Sequence, residues 1–198
     1  MKNIINCLVD HNPVITKKLK EVSIEEGRII ATELFQILNK RQDGVGLAAN
    51  QVGIDAQVAV VNVREPLVLI NPKYISKDNE INYYEGCLSY PKKGVHTKRY
   101  ETIHIQTAQE ESGWVFSGAP NTSEGKGSWE EDNTEDNELR LLETICVQHE
   151  IDHLNGLTIH DRKNTPKPIK SEKTFGRNEK VEITDAGDTD FIAGDEFV

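Results

Sequence analysis

The stretch QHEIDHLNG, residues 148–156, sets two histidines four positions apart, with a glutamate directly after the first. On an α-helix such positions lie about 40° apart around the axis and about 6 Å apart along it. His149 and His153 would therefore face one way, and their imidazoles could converge on one ion. Glu150 would stand beside the first ligand, within reach of a water held by that ion. The H-E-x-x-H pattern thus supplies two ligands and a base. Leu142, Ile145 and Cys146 precede His149 at helical spacing, so an apolar stripe runs straight into the first histidine. A core helix that ends in a polar face would give the same stripe without a metal.

Two histidines need a third ligand. Downstream there are only His160, past Gly156, and scattered acids, none at a convincing position. Upstream, residues 85–89 read EGCLS. A Cys87 thiolate with two imidazoles would make a Cys-His-His set that leaves one position open for water, as hydrolytic sites require. Taken alone, Cys87 reads more readily as a buried structural cysteine than as a ligand. A third stretch, GVGLAANQ at residues 44–51, puts two glycines before small apolar residues and ends on Gln51, whose amide could donate a hydrogen bond. It reads also as a tight turn into a helix or strand.

These groups need elements to hold them. A helix is expected over residues 23–41, with Ser23 and Glu26 as a capping box and Ile30, Ala31, Leu34, Ile37 and Leu38 as its apolar stripe. Strands are expected at residues 57–63, 67–70 and 102–107, punctuated by prolines. A second helix is expected over residues 139–155, with Gly156 just past its end. Residues 109–138 carry nine acids against one lysine and read as an exposed insertion that packs little. The 163–198 tail, basic and then acidic, lacks apolar periodicity and reads as weakly ordered.

The chain has 198 residues, room for one domain over residues 1–162 with peripheral segments. A net charge of −10 argues against generic phosphate-backbone binding, and so against DNA as a partner. No stretch has membrane-spanning length, and the first twenty residues do not form a secretory signal. Cys7, Cys87 and Cys146 are too widely spaced for a disulfide framework and suit a reducing cytoplasm.

Taken together and in this order, GVGLAANQ, EGCLS and QHEIDH resemble the three signature motifs of the peptide deformylases, and the resemblance runs from roughly residue 12 to 162. It implies an α+β fold, with antiparallel β-sheets packed around a central helix that carries the H-E-x-x-H. It implies a hydrolase that removes the formyl group from the N-terminal formyl-methionine of nascent polypeptides. The ion would be one divalent metal, Fe(II) in the cell, with zinc, nickel or cobalt able to substitute. Carried over residue by residue, Cys87, His149 and His153 match the metal ligands and Glu150 the base. Gln51 and the Leu88 backbone N–H match the oxyanion donors. Gly46 matches the position where backbone approaches the substrate. Val45, Tyr83, Leu142, Ile145 and Cys146 match the lining of the methionine pocket, and Arg99 matches an arginine that pairs with Asp152. The partners implied are N-formylmethionyl peptides and nascent chains, with transient ribosome contact, and the chain is expected to be a monomer.

The sequence departs from that pattern in the acidic insertion, in the bulk of Leu141 and Thr144 on the second helix, and in a tail unlike the long basic helix of some bacterial members. Two other readings stay open at this point: a metallopeptidase that cuts internal peptide bonds, and a metal-binding scaffold without activity. The upstream cysteine speaks against the first, and the intact Glu150 against the second.

Overall fold

Residues 58–61 read VAVV, an apolar run that fits a strand buried on both faces. The computed structural model, which describes residues 2–41, 43–92, 94–118 and 134–164, places them that way. Strand β2 (Val58–Asn62) lies between β1 (Gly46–Ala48) and β3 (Pro66–Ile70), both antiparallel to it. Val58 and Val60 pack towards helix α1 (Ile24–Leu38), with Leu34, Leu38 and Ile70. Ala59 and Val61 pack the other way, into a core shared with Cys146, Val147, Ile151 and Leu154 of helix α2 (Thr134–Leu154). The period of two along β2 thus assigns one face of the sheet to each helix.

A second antiparallel sheet covers the other side of α2. It consists of β4 (Lys73–Glu85), β5 (Val95–Thr107) and β6 (Glu110–Ser117), in that order. Ile103, Ile105 and Phe116 face the α2 core. The metal-motif helix is therefore central, between two sheets, in an α+β fold as expected. Among the described residues no helix is long and apolar enough to cross a membrane.

Both helix ends follow local chemistry. The Ser23 side chain accepts from the Glu26 N–H at 3.2 Å and caps α1. At the far end of α2, Gly156 takes a left-handed conformation (φ +74°). Its N–H donates to the His153 carbonyl at 3.1 Å, and the Leu157 N–H donates to the Asp152 carbonyl at 2.9 Å. That pattern is the Schellman close, for which glycine carries no steric penalty.

The insertion expected at residues 109–138 gives way at both ends. Residues 110–117 are β6, paired to β5, with Phe116 in the core, and α2 already begins at Thr134. Of the two acids of β6, Glu111 is exposed and Glu110, at the strand's first position, is half-buried, so acidity there marks the open end of a paired strand. Residues 119–133 lie outside the described residues. The boundary drawn at residue 162 also shifts, because Lys163 and Asn164 continue as a short pairing beside β5. The rest of the tail lies outside the described residues. The bulk of Leu141 is met by a glycine: a Cβ on Gly118 would come within 2.5 Å of the Leu141 side chain.

Candidate metal centre

The last three turns of α2 carry both histidines into the interior. His149, Glu150 and His153 are at most 2% exposed. Cys87 arrives from the other direction, in the turn that follows β4, and is fully buried. Its Sγ lies 3.2 Å from His153 Nε2. One ligand atom from each of Cys87, His149 and His153 lies within 4.8 Å of the others. His149 Nε2 has no hydrogen-bond partner, while Nδ1 of the same ring faces Glu85 Oε2 at 3.4 Å. A buried imidazole with one nitrogen against a carboxylate and the other unsatisfied suits a metal ligand oriented from behind. A thiolate with two imidazoles is a soft donor set that fits a divalent transition metal.

Charge balance supports that fit. Burial opposes a proton on His149, but Cys87 and Glu85 outweigh it and hold the ring's pKa well above the ordinary histidine value. Burial beside His149 pushes His153 well below it. The pocket thus favours one positive charge shared against the thiol, and a cation can supply that charge.

Glu150 is fully buried and neither carboxylate oxygen has a hydrogen-bond partner. Burial raises its pKa to about 7, with Glu85 adding to the rise and His149 and Arg99 opposing it. An isolated buried carboxylate of that kind is poised to move a proton near neutral pH.

Gln51 lies in a 3₁₀ turn directly after β1. Its Oε1 accepts from the Ala48 N–H at 2.8 Å, which fixes the amide so that Nε2 points at Ser89 Oγ (3.2 Å) and towards Cys87 Sγ (3.7 Å). Leu88 follows Cys87 in a turn closed by the Tyr90 N–H on the Cys87 carbonyl at 2.9 Å. Gly46 lies on β1, an edge strand of its sheet, and a Cβ there would come within 2.6 Å of Cys146 Sγ and closer still to Glu150 Oε1. Ile145 and Cys146 are fully buried on α2, and Val45 and Leu142 are half-buried against the same core. Tyr83 is half-buried on β4, on the strand face of Glu85. His160 stands apart from the ligand trio, its ring edge-on to Tyr90 at 4.7 Å between centroids.

Arg99 pairs with Asp152, Nη1 to Oδ2 at 2.6 Å. Three neighbours went unread in the sequence. Glu85 bonds Arg99 and faces His149. Ser89 shares the Gln51 amide. Asn50 donates to the His153 carbonyl at 2.7 Å and to the Ile15 carbonyl at 3.2 Å. Each lies inside a stretch quoted above, Asn50 in GVGLAANQ and Glu85 and Ser89 in EGCLS, and that membership was the available signal.

The sequence matches the family described as Polypeptide deformylase over residues 4–119 and 120–168. The chain belongs to the polypeptide deformylase family. As a member it is an enzyme whose reaction is the deformylation of polypeptides. It is 31% identical over 171 residues to a peptide deformylase of Buchnera aphidicola subsp. Acyrthosiphon pisum, covering 84% of this chain and 86% of the relative. The fold is similar to the crystal structure of the peptide deformylase from Thermotoga maritima, with a TM-score of 0.59 and 30% identity over 83% of this chain and 99% of that one. It is likewise similar to a Synechococcus elongatus peptide deformylase in complex with actinonin, with a TM-score of 0.62 and 28% identity over 83% and 80% of the two chains.

Proposed function

We propose that this deformylase hydrolyses the formyl group from N-terminal formyl-methionine of nascent polypeptides, with Cys87, His149 and His153 holding one divalent cation. The observation that carries the residue roles is the meeting of three ligand atoms within 4.8 Å beside a buried carboxylate that nothing else engages. A cation bound there supplies Lewis acidity, acidifying water and polarising the formyl carbonyl. Fe(II) is our choice for the ion in the cell, and zinc, nickel and cobalt suit the same donors.

Glu150 takes the proton from the attacking water and passes it to the departing amine. Attack places negative charge on the formyl oxygen, and the Gln51 Nε2–H and the Leu88 N–H donate to it. The Ala48–Gln51 hydrogen bond sets that amide before substrate arrives, which is what electrostatic stabilisation requires. The peptide adds along the free edge of β1, where Gly46 admits close approach. Val45, Leu142, Ile145 and Cys146, with Tyr83, line the methionine pocket. The enzyme works as a monomer in the cytoplasm, meeting chains as they leave the ribosome. Asp152 and Arg99 hold the ligands from behind.

The test is turnover of formyl-Met-Ala-Ser by anaerobically purified, Fe(II)-loaded protein. Formate and new amino termini should appear in equal amounts with the peptide bonds intact. Cleavage of internal bonds would instead indicate a peptidase, and full metal loading without formate would indicate an inactive scaffold.

A further inference from the structure

Asp152 is held by two arginines. Arg99 Nη1 donates to Oδ2 at 2.6 Å, and Arg162 grips both oxygens, Nε to Oδ2 at 2.9 Å and Nη2 to Oδ1 at 2.7 Å. Arg99 turns its other edge, Nε at 3.0 Å and Nη2, to Glu85 Oε1. Glu85 Oε2 in turn faces His149 Nδ1. An unbroken line of polar contacts therefore runs from Arg162 through Asp152, Arg99 and Glu85 to a ligand ring. The side chains of Asp152, Arg99 and Glu85 are at most 5% exposed, whereas that of Arg162 is 34% exposed. Arg162 is the member of this line that solvent reaches.

The backbone around Arg162 is fixed independently of that line. Asp161 accepts from both the N–H and the hydroxyl of Thr158, each at 2.8 Å. The Lys98 N–H donates to the Arg162 carbonyl at 3.1 Å, and the Asn164 N–H to the His96 carbonyl at 2.7 Å. Residues 162–164 thus lie along β5, the strand that also carries Arg99, and one strand sets both guanidiniums. Two carboxylates and two guanidiniums balance in the buried line. Without Arg162 the two buried carboxylates would share one guanidinium and Asp152 Oδ1 would lose the partner shown here, an arrangement that favours a new side-chain geometry.

We propose that Arg162 is a positioning residue for His149: it locks Asp152, Asp152 locks Arg99, and Arg99 holds Glu85 against the ligand ring. This rests on the reading of His149 as a metal ligand. The planar fork matters, because a lysine ammonium has no pair of parallel N–H donors to match the two oxygens of Asp152.

The test compares cobalt-loaded wild type with Arg162→Gly and Arg162→Lys. Four quantities are read: the cobalt absorption spectrum, the rate of cobalt loss to a chelator, kcat and KM. Arg162→Gly should lose cobalt on the order of 10-fold faster, shift the spectrum, and lower kcat with little change in KM. Guanidinium chloride at low, non-denaturing concentration should restore both release rate and spectrum in Arg162→Gly, and tetramethylammonium chloride at equal strength should not. Arg162→Lys should fall between wild type and Arg162→Gly, and it carries the test should the glycine variant fail to fold. A folded Arg162→Gly with wild-type spectrum and release rate would overturn the proposal, as would losses that guanidinium leaves untouched. Wild type that takes up no cobalt would overturn the ligand assignment itself, a result distinct from a wild type that loads and a variant that matches it.

Discussion

Glu150 and Gly46 are packed so closely that the glycine has no room for a side chain: an added Cβ would overlap Glu150 Oε1 and approach Cys146 Sγ to 2.6 Å. The proposed base is thereby pressed against the backbone of the strand edge on which the substrate is expected to lie. Gly46→Ala should displace Glu150 or β1 itself, at a cost of about 1–3 kcal/mol. In steady-state kinetics the catalytic efficiency should fall roughly 10-fold or more, with metal content unchanged. An alanine variant as active as wild type would mean that the strand edge and the base move apart during turnover.

Glu150→Gln keeps the shape of the side chain and removes its basicity. Formate release should drop by roughly 10²- to 10⁴-fold with the metal retained. In the wild type, the carboxyl at about 7 in the chain alone must be ionised to accept a proton. A bound cation favours the ionised form and lowers that value further. The acid limb of the kcat/KM profile should therefore have its midpoint no higher than about pH 7, and activity should fall as pH drops through it.

Gln51→Leu removes the proposed side-chain donor to the oxyanion while filling a similar volume. Loss of one such donor corresponds to about 10²–10³ in kcat. Metal analysis should match wild type, because Gln51 is not among the three proposed ligands. The Ala48 N–H loses its acceptor in this variant, so a modest drop in melting temperature is expected alongside.

Glu85 gives a prediction about acid stability. Burial alone would raise its pKa, but the hydrogen bond and charge of His149, together with Arg99, bring it down to about 2 from the ordinary 4.5. A carboxyl depressed in the folded state stabilises fully above its unfolded value and loses that contribution as pH falls through its folded one. Metal-free protein should therefore lose on the order of 3 kcal/mol between about pH 4.5 and 2. Urea titrations across that range should show the loss, and Glu85→Gln should flatten it.

The parts that the sequence made legible are those with period or motif. The α2 stripe and the four-residue histidine spacing place the helix and two candidate ligands, and the glycine at 156 marks its end. The choice of Cys87 as the third candidate ligand leaned on the family resemblance, because nothing in its local spacing says that a turn after β4 returns to α2. Strand β4 went unread because Lys77, Asp78, Asn79 and Glu80 interrupt any alternation, in a hairpin arm with many exposed positions. Strand β6 was hidden by its acids and by Gly113, which breaks a run that Trp114 and Phe116 otherwise define. Glu85 and Arg162 were missed for a different reason. A buried ion pair depends on two partners far apart in the chain, and neither residue carries a local mark of burial.

The end of α2 is fastened to the beginning of the chain. Asn50 joins the carbonyls of Ile15 and His153, the Leu19 N–H donates to the Leu154 carbonyl at 3.0 Å, and Gly156 rests on the backbone of Thr16 and Lys17. During synthesis the bonds from Asn50 and Leu19 to α2 can close only once nearly all of the described fold has emerged, whereas Ile5, Leu19 and Lys20 also bond Gln51 and Gln57, which emerge far earlier. An enzyme that trims newborn polypeptides thus fastens the end of its own central helix only late in its own translation, onto a segment made at the very start.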